Sequence, residues 1–242
     1  MQKVKKEEQK KDLLDTNIYF GSPVYWMDKP EWVKPLIKAT DPYIKIAKKN
    51  NENFIKERNK AWGGDKKDHG LAHHSTSLID MPGFNVLQDW VTATTWNLLD
   101  EQGFDLKNYK IFMEEFWVQE FAKAGGGHHT LHTHYNGHIS GFYFLKCSDK
   151  TSLPIFDDPR PGALMNGLPQ KDKSKITLAS NQVFYTARPG TIILFNSYLP
   201  HQFRVDDGYE PFRFIHFNCR AIPINDVLSK YGEKRTDNKD NK

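Results

Sequence analysis

The second half of this 242-residue sequence predicts a β-sandwich or jelly roll, with helices from the first half packed against it. Short runs of aromatic and β-branched residues follow one another from Tyr109 to Ala221, separated by Gly, Pro or Asp. Five of the ten histidines lie between His128 and His138, where one of these runs begins. We therefore expect one mainly β domain over residues 15–228, with flanking helices, between disordered tails at 1–14 and 229–242.

Two helical segments are expected before the strands. Residues 31–49 have spacing compatible with a helix that is interrupted at Pro35 and Pro42. In residues 84–102 apolar side chains recur every three or four positions, and Gly103 follows where a left-handed C-cap is favoured. This second helix should pack its apolar stripe on an outer face of the sheet.

Strands are expected wherever β-type residues form a short run. The strongest runs are 111–121, 139–145, 182–187, 191–195 and 212–219. Residues 148–180 are rich in Pro and Gly instead, which predicts a long surface loop. Loops of that length are often lids or walls of a binding site.

Composition excludes several classes of function. The net charge of +4 is concentrated in the tails, so a broad nucleic-acid surface is not expected. Cys147 and Cys219 are the two cysteines, and buried free thiols explain them better than a disulfide framework. The sequence has neither the apolar core of a signal peptide nor a membrane-spanning stretch, so we expect a soluble cytoplasmic protein.

Three histidines have the spacing of a metal site. His132 and His134 are two apart, and residues two apart on a strand point to the same face. His201 follows another predicted strand and can meet them if the strands are neighbours. Because imidazole is the commonest metal ligand among side chains, these three are the expected ligands. His128, His129 and His138 are expected to orient ligands or to lie on the surface.

Four segments of the chain together form a recognisable pattern: His132 to Leu145, Phe156 to Arg160, Pro189 to His201, and the arginine-led strand Arg213 to Asn218. With this pattern the chain resembles a family of 2-oxoglutarate- and Fe(II)-dependent oxygenases that is common in marine cyanophages and their hosts. The resemblance is firm from about Trp117 to Asn218. A weaker likeness lies upstream, at His74-Ser75.

The resemblance implies a double-stranded β-helix that binds Fe(II), with 2-oxoglutarate as co-substrate. The usual ligands of such iron are two histidines and one carboxylate. Here His134 stands where the acid is expected. Three histidines can form the site, Asp157 or Asp158 can restore the carboxylate, or water can complete a two-histidine site with His134 outside it.

The resemblance also suggests residues for the co-substrate and substrate. Arg213 is the expected partner of the distal carboxylate of 2-oxoglutarate, because a guanidinium binds a carboxylate through two hydrogen bonds. Pairing of Arg213 with an acid at the sheet edge is the structural alternative. Tyr143, Asn136 and Asn218 are further candidates for co-substrate binding, although core, turn and strand-end roles suit them equally, and Arg160 is a candidate substrate contact.

The expected function is therefore oxidation of an unidentified small molecule or peptide, most simply by hydroxylation. One alternative is a cupin-like metalloprotein without 2-oxoglutarate chemistry, although cupins have a glutamate four residues after the His pair, where this chain has His138. Another is a phage-associated structural or binding protein with a metal site. Release of succinate distinguishes the oxygenase from both. The sequence does not indicate an oligomeric state.

Overall fold

The computed structural model describes residue 18, residues 20–165 and residues 167–226. Ten strands are present: β1 (Val24–Asp28), β2 (Ala72–His74), β3 (Tyr109–Phe121), β4 (His129–His132), β5 (Ile139–Lys146), β6 (Pro154–Asp157), β7 (Gln182–Phe184), β8 (Thr191–Asn196), β9 (His201–Phe203) and β10 (Arg213–Pro223). The helices are α1 (Val33–Trp62), α2 (Asn85–Glu101) and the short α3 (Pro161–Leu164), and a 3-10 turn at Pro30–Trp32 precedes α1. The tails predicted at 1–14 and 229–242 lie outside the described residues.

The strands form two antiparallel sheets, which confirms the predicted jelly roll. The larger sheet has the order β1-β8-β5-β10-β3-β2, and the smaller has the order β4-β9-β6-β7. Each strand of the larger sheet pairs with strands distant in sequence; Val24 of β1, for example, lies opposite Phe195 of β8. The two sheets pack face to face through phenylalanines from both, including Phe142, Phe214 and Phe203.

The helices cover the outer face of the larger sheet. Leu87, Val91 and Leu98 of α2 pack with Ile215 and other outward-facing residues of the sheet in one buried cluster. The predicted helix at 84–102 is thus confirmed as α2, and Gly103 follows it with a φ of 90°.

The prediction for the first helix was wrong in extent, since α1 continues to Trp62 and contains Pro42. Pro35 lies in the first turn of α1, where backbone N–H groups have no helical partner in any case, so it does not interrupt the helix. Pro42 removes one internal hydrogen bond, and the buried side chains of Leu36 and Ile44 still hold this face of α1 in the core.

The predicted surface loop contains more structure than its composition indicates. The strand β6 lies within it, followed by α3, and the remainder runs without a helix or strand to β7. Pro154 opens β6, a position where proline is tolerated. No helix among the residues described here is both long and apolar enough to cross a membrane.

Gly141 allows the strands β5, β8 and β10 to approach closely. A Cβ at this position would overlap the carbonyl oxygen of Ile193 and the ring of Phe217. We expect Gly141→Ala to lower the free energy of unfolding by about 1–3 kcal/mol, because neither neighbour can move without disturbing the packed sheet. Chemical denaturation measures the change. Gly162→Ala is the control, since no atom lies within 4 Å of its added Cβ; equal stability of the two variants would contradict the expectation.

Candidate metal centre

Three histidines converge at one end of the space between the sheets. His132 ends β4 and lies opposite His201, the first residue of β9. His134 follows two residues after His132, and its backbone N–H donates to the carbonyl of Ser197 at 3.0 Å. The ring centroids are 4.4 Å apart for His132 and His201, 5.0 Å for His132 and His134, and 5.1 Å for His134 and His201. One nitrogen from each ring lies within 4.8 Å of the others, so small side-chain movements bring all three to one ion.

Backbone hydrogen bonds leave the Nε2 atoms of these rings available. His132 Nδ1 is 2.7 Å from the carbonyl of Thr130, and His201 Nδ1 is 3.0 Å from the carbonyl of Leu199. Donation from Nδ1–H to these carbonyls fixes the tautomer with the lone pair on Nε2, the arrangement typical of metal-bound histidine. Among the described residues, the buried Nε2 atoms of His134 and His201 have no hydrogen-bond partner. A divalent cation would satisfy both.

Burial keeps the rings of His134 and His201 neutral. Desolvation, with a smaller contribution from His132, lowers the pKa of His201 to about 2. Desolvation and the neighbouring His216 lower the pKa of His134 to about 3. Metal ligation requires a deprotonated nitrogen, so both rings are ready to bind metal at neutral pH.

The same burial makes the metal-free fold sensitive to acid. His129 also has a pKa lowered to about 4 by burial. In the unfolded chain each ring takes up a proton near pH 6.5, whereas in the fold His129, His134 and His201 stay neutral until about pH 4, 3 and 2. The unfolded state therefore binds more protons below pH 6.5, and stability should fall as pH decreases, by up to about 1.4 kcal/mol per ring and pH unit.

Urea denaturation of chelator-treated protein at pH 7.5, 6.5 and 5.5 measures this decrease. Replacing His129 with Asn should make the decrease shallower, whereas replacing the exposed His128 should not. A stability that does not change over this range would contradict the assignment of the buried neutral rings.

A second group of ligating side chains lies beside the three histidines. Glu115 of β3 and His216 of β10 project to the same side as His134, and one atom of each of the three lies within 4.8 Å of the others. Glu115 Oε2 is 3.5 Å from His216 Nε2 and 4.0 Å from His134 Nδ1. Close contact with His216 is the main reason that the pKa of Glu115 is lowered. Glu115 is thus an anionic neighbour of the metal centre.

The carboxylates considered from the sequence lie elsewhere. Asp157 accepts hydrogen bonds from Gln182 at 2.7 Å and from Gln202 at 3.1 Å. Asp158 binds the guanidinium of Arg160 at 2.7 Å. Neither aspartate belongs to a cluster with the histidines, so the structure brings Glu115 to the site in their place.

Arg213 and Tyr143 are not brought to the histidines. The side chain of Arg213 is buried and bonds Glu120 Oε2 at 2.7 Å and Asp41 Oδ1 at 2.6 Å, on the side of β10 covered by α1. This is the pairing with acids that the sequence left open as an alternative. Tyr143 belongs to the helix-side core, and its hydroxyl donates to the carbonyl of Lys29 at 2.7 Å. Both residues therefore face away from the metal centre, and their role in co-substrate binding stays a prediction.

The remaining candidates are divided between the site and the surface. Asn218 is buried and reaches both His134 and Glu115. Asn136 is exposed in the turn before β5. Arg160 is half exposed and lines a cavity of about 390 Å³ together with Phe156, Tyr185 and Leu199. The cavity adjoins the metal centre through Leu199, whose carbonyl contacts His201, and through Phe156, whose ring lies against that of His201.

Other histidines and a glutamine surround the site. His129 Nε2 is 2.8 Å from Gln119 Oε1, and its ring centroid lies 5.9 Å from that of His132. Gln119 Nε2 is buried and has no hydrogen-bond partner in the part of the chain that the structure covers. His138 Nδ1 accepts the backbone N–H of Ala221 at 3.2 Å, which explains this residue without a metal. His129 and Gln119 are therefore further polar groups beside the ligands.

Glu115, His216 and Gln119 were missed in the sequence. All three lie in strands rich in aromatic and aliphatic residues, so the local sequence resembles core. Alternation is the signal that could have found them. Residues 214, 216 and 218 share one face of β10, and 115, 117 and 119 share one face of β3. These two faces meet because His216 pairs with Trp117 in the antiparallel register.

Two facing antiparallel sheets with converging imidazoles define a jelly-roll metalloenzyme centre. Residues 115–218 match the model of the family described as "Putative 2OG-Fe(II) oxygenase", a range that includes every ligand candidate above. The match covers fewer than half of the 242 residues, and the oxygenases of the matched family use Fe(II) and 2-oxoglutarate. No curated protein sequence matches the chain significantly.

Solved structures resemble the fold at low sequence identity. EctD from S. alaskensis, in a structure with 2-oxoglutarate and 5-hydroxyectoine, has 14% identity and a TM-score of 0.50, and the match covers 82% of this chain and 72% of EctD. A prolyl-4-hydroxylase from Pseudomonas putida has 12% identity and a TM-score of 0.45, over 81% of this chain and 92% of that enzyme. At such identity the EctD likeness supports the jelly-roll fold alone.

Proposed function

We propose that the chain is a hydroxylase whose iron is bound by His132, His134 and His201. The observation that carries this proposal is the convergence of three imidazoles, two of which have buried Nε2 atoms without another partner among the described residues. The donor set fits Fe(II), which accepts imidazole ligands. When bound, Fe(II) with 2-oxoglutarate and O2 supplies the oxidation of a C–H bond, and the co-substrate becomes succinate and CO2.

The chain's own residues orient the ligands and exclude water. The rings of Phe142, Phe195 and Phe156 lie against His201, with centroids 5.7, 4.7 and 6.3 Å from that of the imidazole. This apolar wall holds the His201 ring in place and leaves little room for water behind it. The opposite side, near Glu115, is open to solvent, since this side chain is 48% exposed.

Two groups are candidates for the co-substrate's distal carboxylate. Arg213 can reach it only after leaving Glu120 and Asp41. The amide of Gln119 is already on the inner side and has an unused donor. The geometry therefore supports Gln119, with His129 beside it, better than it supports Arg213.

The substrate is proposed to be a small molecule or a peptide side chain that reaches the cavity next to the centre. Its walls include the apolar side chains of Phe156 and Leu199, and Arg160 lies at its edge with Asp158. Such a lining favours a partly apolar substrate with one anionic group near Arg160. Replacement of Arg160 by Ala should then raise the KM of such a substrate more than it lowers kcat.

Formation of succinate tests the function. Purified protein incubated with Fe(II), ascorbate, O2 and 2-oxoglutarate should release succinate, even slowly and without a prime substrate. His201→Ala should lose at least 90% of this release, because a buried ligand is removed from the ion. Wild-type protein that binds Fe(II) but never converts 2-oxoglutarate would overturn the proposal and favour a cupin-like metalloprotein.

A further inference from the structure

We propose that Glu115, His134 and His216 form a second cation position beside the three-histidine set, with His134 belonging to both. This set contains two imidazoles and one carboxylate. The three-histidine set has no carboxylate, because His134 stands where the acid is expected. The ligand atoms of the second set lie within 4.8 Å of one another, as those of the first set also do. The two positions compete for His134, so a single ion can occupy either of them.

The amide of Asn218 marks where the second ion would lie. Its Nδ2 is 2.5 Å from Glu115 Oε2 and 3.0 Å from His134 Nδ1. Two acceptors, Glu115 of β3 and His134 of the segment after β4, thus converge on one positively polarised donor, as ligands converge on a cation. The contact also requires a lone pair on His134 Nδ1, which is the nitrogen facing Glu115. His134 is therefore in the tautomer that the second position needs, whereas ligation through Nε2 in the three-histidine set requires the other tautomer.

His216 supplies an independent reason to expect a ligand here. Its side chain is only 1% exposed. Within the described residues, neither of its ring nitrogens has a hydrogen-bond partner of good geometry. Buried polar groups are nearly always paired, because leaving one unpaired costs about 1–3 kcal/mol. A cation bound by Nε2, which already points towards Glu115 at 3.5 Å, removes that cost.

Charge favours a cation over an anion at this position. The Glu115 carboxylate would repel the carboxylate of 2-oxoglutarate, whereas it attracts a metal ion. A divalent ion bound by three neutral imidazoles leaves a net charge of +2 in a desolvated site. With the Glu115 carboxylate as a ligand, the net charge falls to +1. Glu115 also lies at the solvent-exposed side, so the second position is the first one that an entering ion meets.

Metal binding by variants tests the second position without any need for turnover. The double variant His132→Ala/His201→Ala retains only His134 from the first set and should still bind one Mn(II) per chain. Binding is followed by titration, with electron paramagnetic resonance of free Mn(II) as the readout. Adding Glu115→Gln should weaken this binding at least tenfold. Glu114→Gln is the matched control, because the neighbouring carboxylate is exposed on the other face of β3 and should have no effect.

Absence of Mn(II) binding by the folded double variant, or equal affinity after Glu115→Gln and Glu114→Gln, would overturn the proposal. Circular dichroism establishes folding. If the double variant does not fold, Glu115→Gln and Glu114→Gln are compared in the single variant His132→Ala. This single variant is chosen because the His132 ring is less buried than that of His201. Succinate release by wild-type protein is measured in parallel. If the wild-type protein releases succinate but the variants show no second cation position, the oxygenase function stands and only this inference is rejected.

Discussion

Replacing His134 with alanine should weaken Fe(II) binding by at least 100-fold, more than any other single substitution at the centre. His134 is the one residue within 4.8 Å of ligand atoms in both clusters, so its loss leaves two histidines in one set and one histidine with Glu115 in the other. Changes to residues that merely orient a ligand typically weaken binding 10–100-fold, and loss of a shared ligand should exceed this range. Anaerobic titration with Fe(II) against a chromophoric chelator measures the affinity.

His128→Ala is the control for this experiment. Its ring is exposed and lies 3.0 Å, through Nδ1, from the carbonyl of Gly126, outside both sets. We expect Fe(II) affinity within twofold of wild type for this variant. A His134→Ala protein that binds iron as tightly as the His128→Ala protein would exclude both proposed positions.

Replacing Arg213 with alanine should lower the free energy of unfolding by about 3–5 kcal/mol, the usual cost of removing one partner from a buried ion pair. Glu120 would lose a guanidinium at 2.7 Å and would remain buried beside Lys48, which contacts it at 2.5 Å. Lys48 is itself half exposed and compensates only in part. Urea denaturation at neutral pH measures the loss.

Arg188→Ala is the matched arginine control. Its pairing with Asp28 at 3.3 Å is exposed, and exposed pairs contribute about 0–1 kcal/mol. The same Arg213 variant also tests the prediction of co-substrate binding, through titration of 2-oxoglutarate into Fe(II)-loaded protein below its unfolding temperature. A tenfold loss of affinity would show that the guanidinium rearranges to meet the co-substrate. An unchanged affinity would favour Gln119 as the residue that binds the distal carboxylate of 2-oxoglutarate.

The fold class and the three-histidine cluster could be predicted because their signals are local. His132 and His134 are two residues apart in sequence, and His201 follows a strand with an evident apolar pattern. The helix at 84–102 was predicted almost to the residue, because its apolar spacing is regular and Gly103 ends it. Short strands such as β2 and β9 were missed, since three residues carry too little pattern to be recognised.

Strand pairing explains why the remainder of the site could not be predicted. Glu115 meets Asn218 across the register of β3 and β10, and this register cannot be derived from either strand alone. Arg213 lies one residue before Phe214 and three before His216, so alternation along β10 places its side chain on the opposite face of the sheet from theirs. A shift of one residue moves a side chain to the other face of a sheet. The spacing from His201 to Arg213 therefore left the face of the arginine undetermined.

The position of β10 in the larger sheet has a consequence for the order of assembly. This strand is the last in sequence among the described elements, yet it lies between β5 and β3, and it carries His216 and Asn218. The earlier strands cannot close the sheet until β10 has been synthesised, and β1 must wait for β8. Such long-range pairing makes folding slow. The nascent chain thus exposes one unpaired edge of β3 and one of β5 until β10 has been synthesised, and His216 and Asn218 join the centre only at that stage.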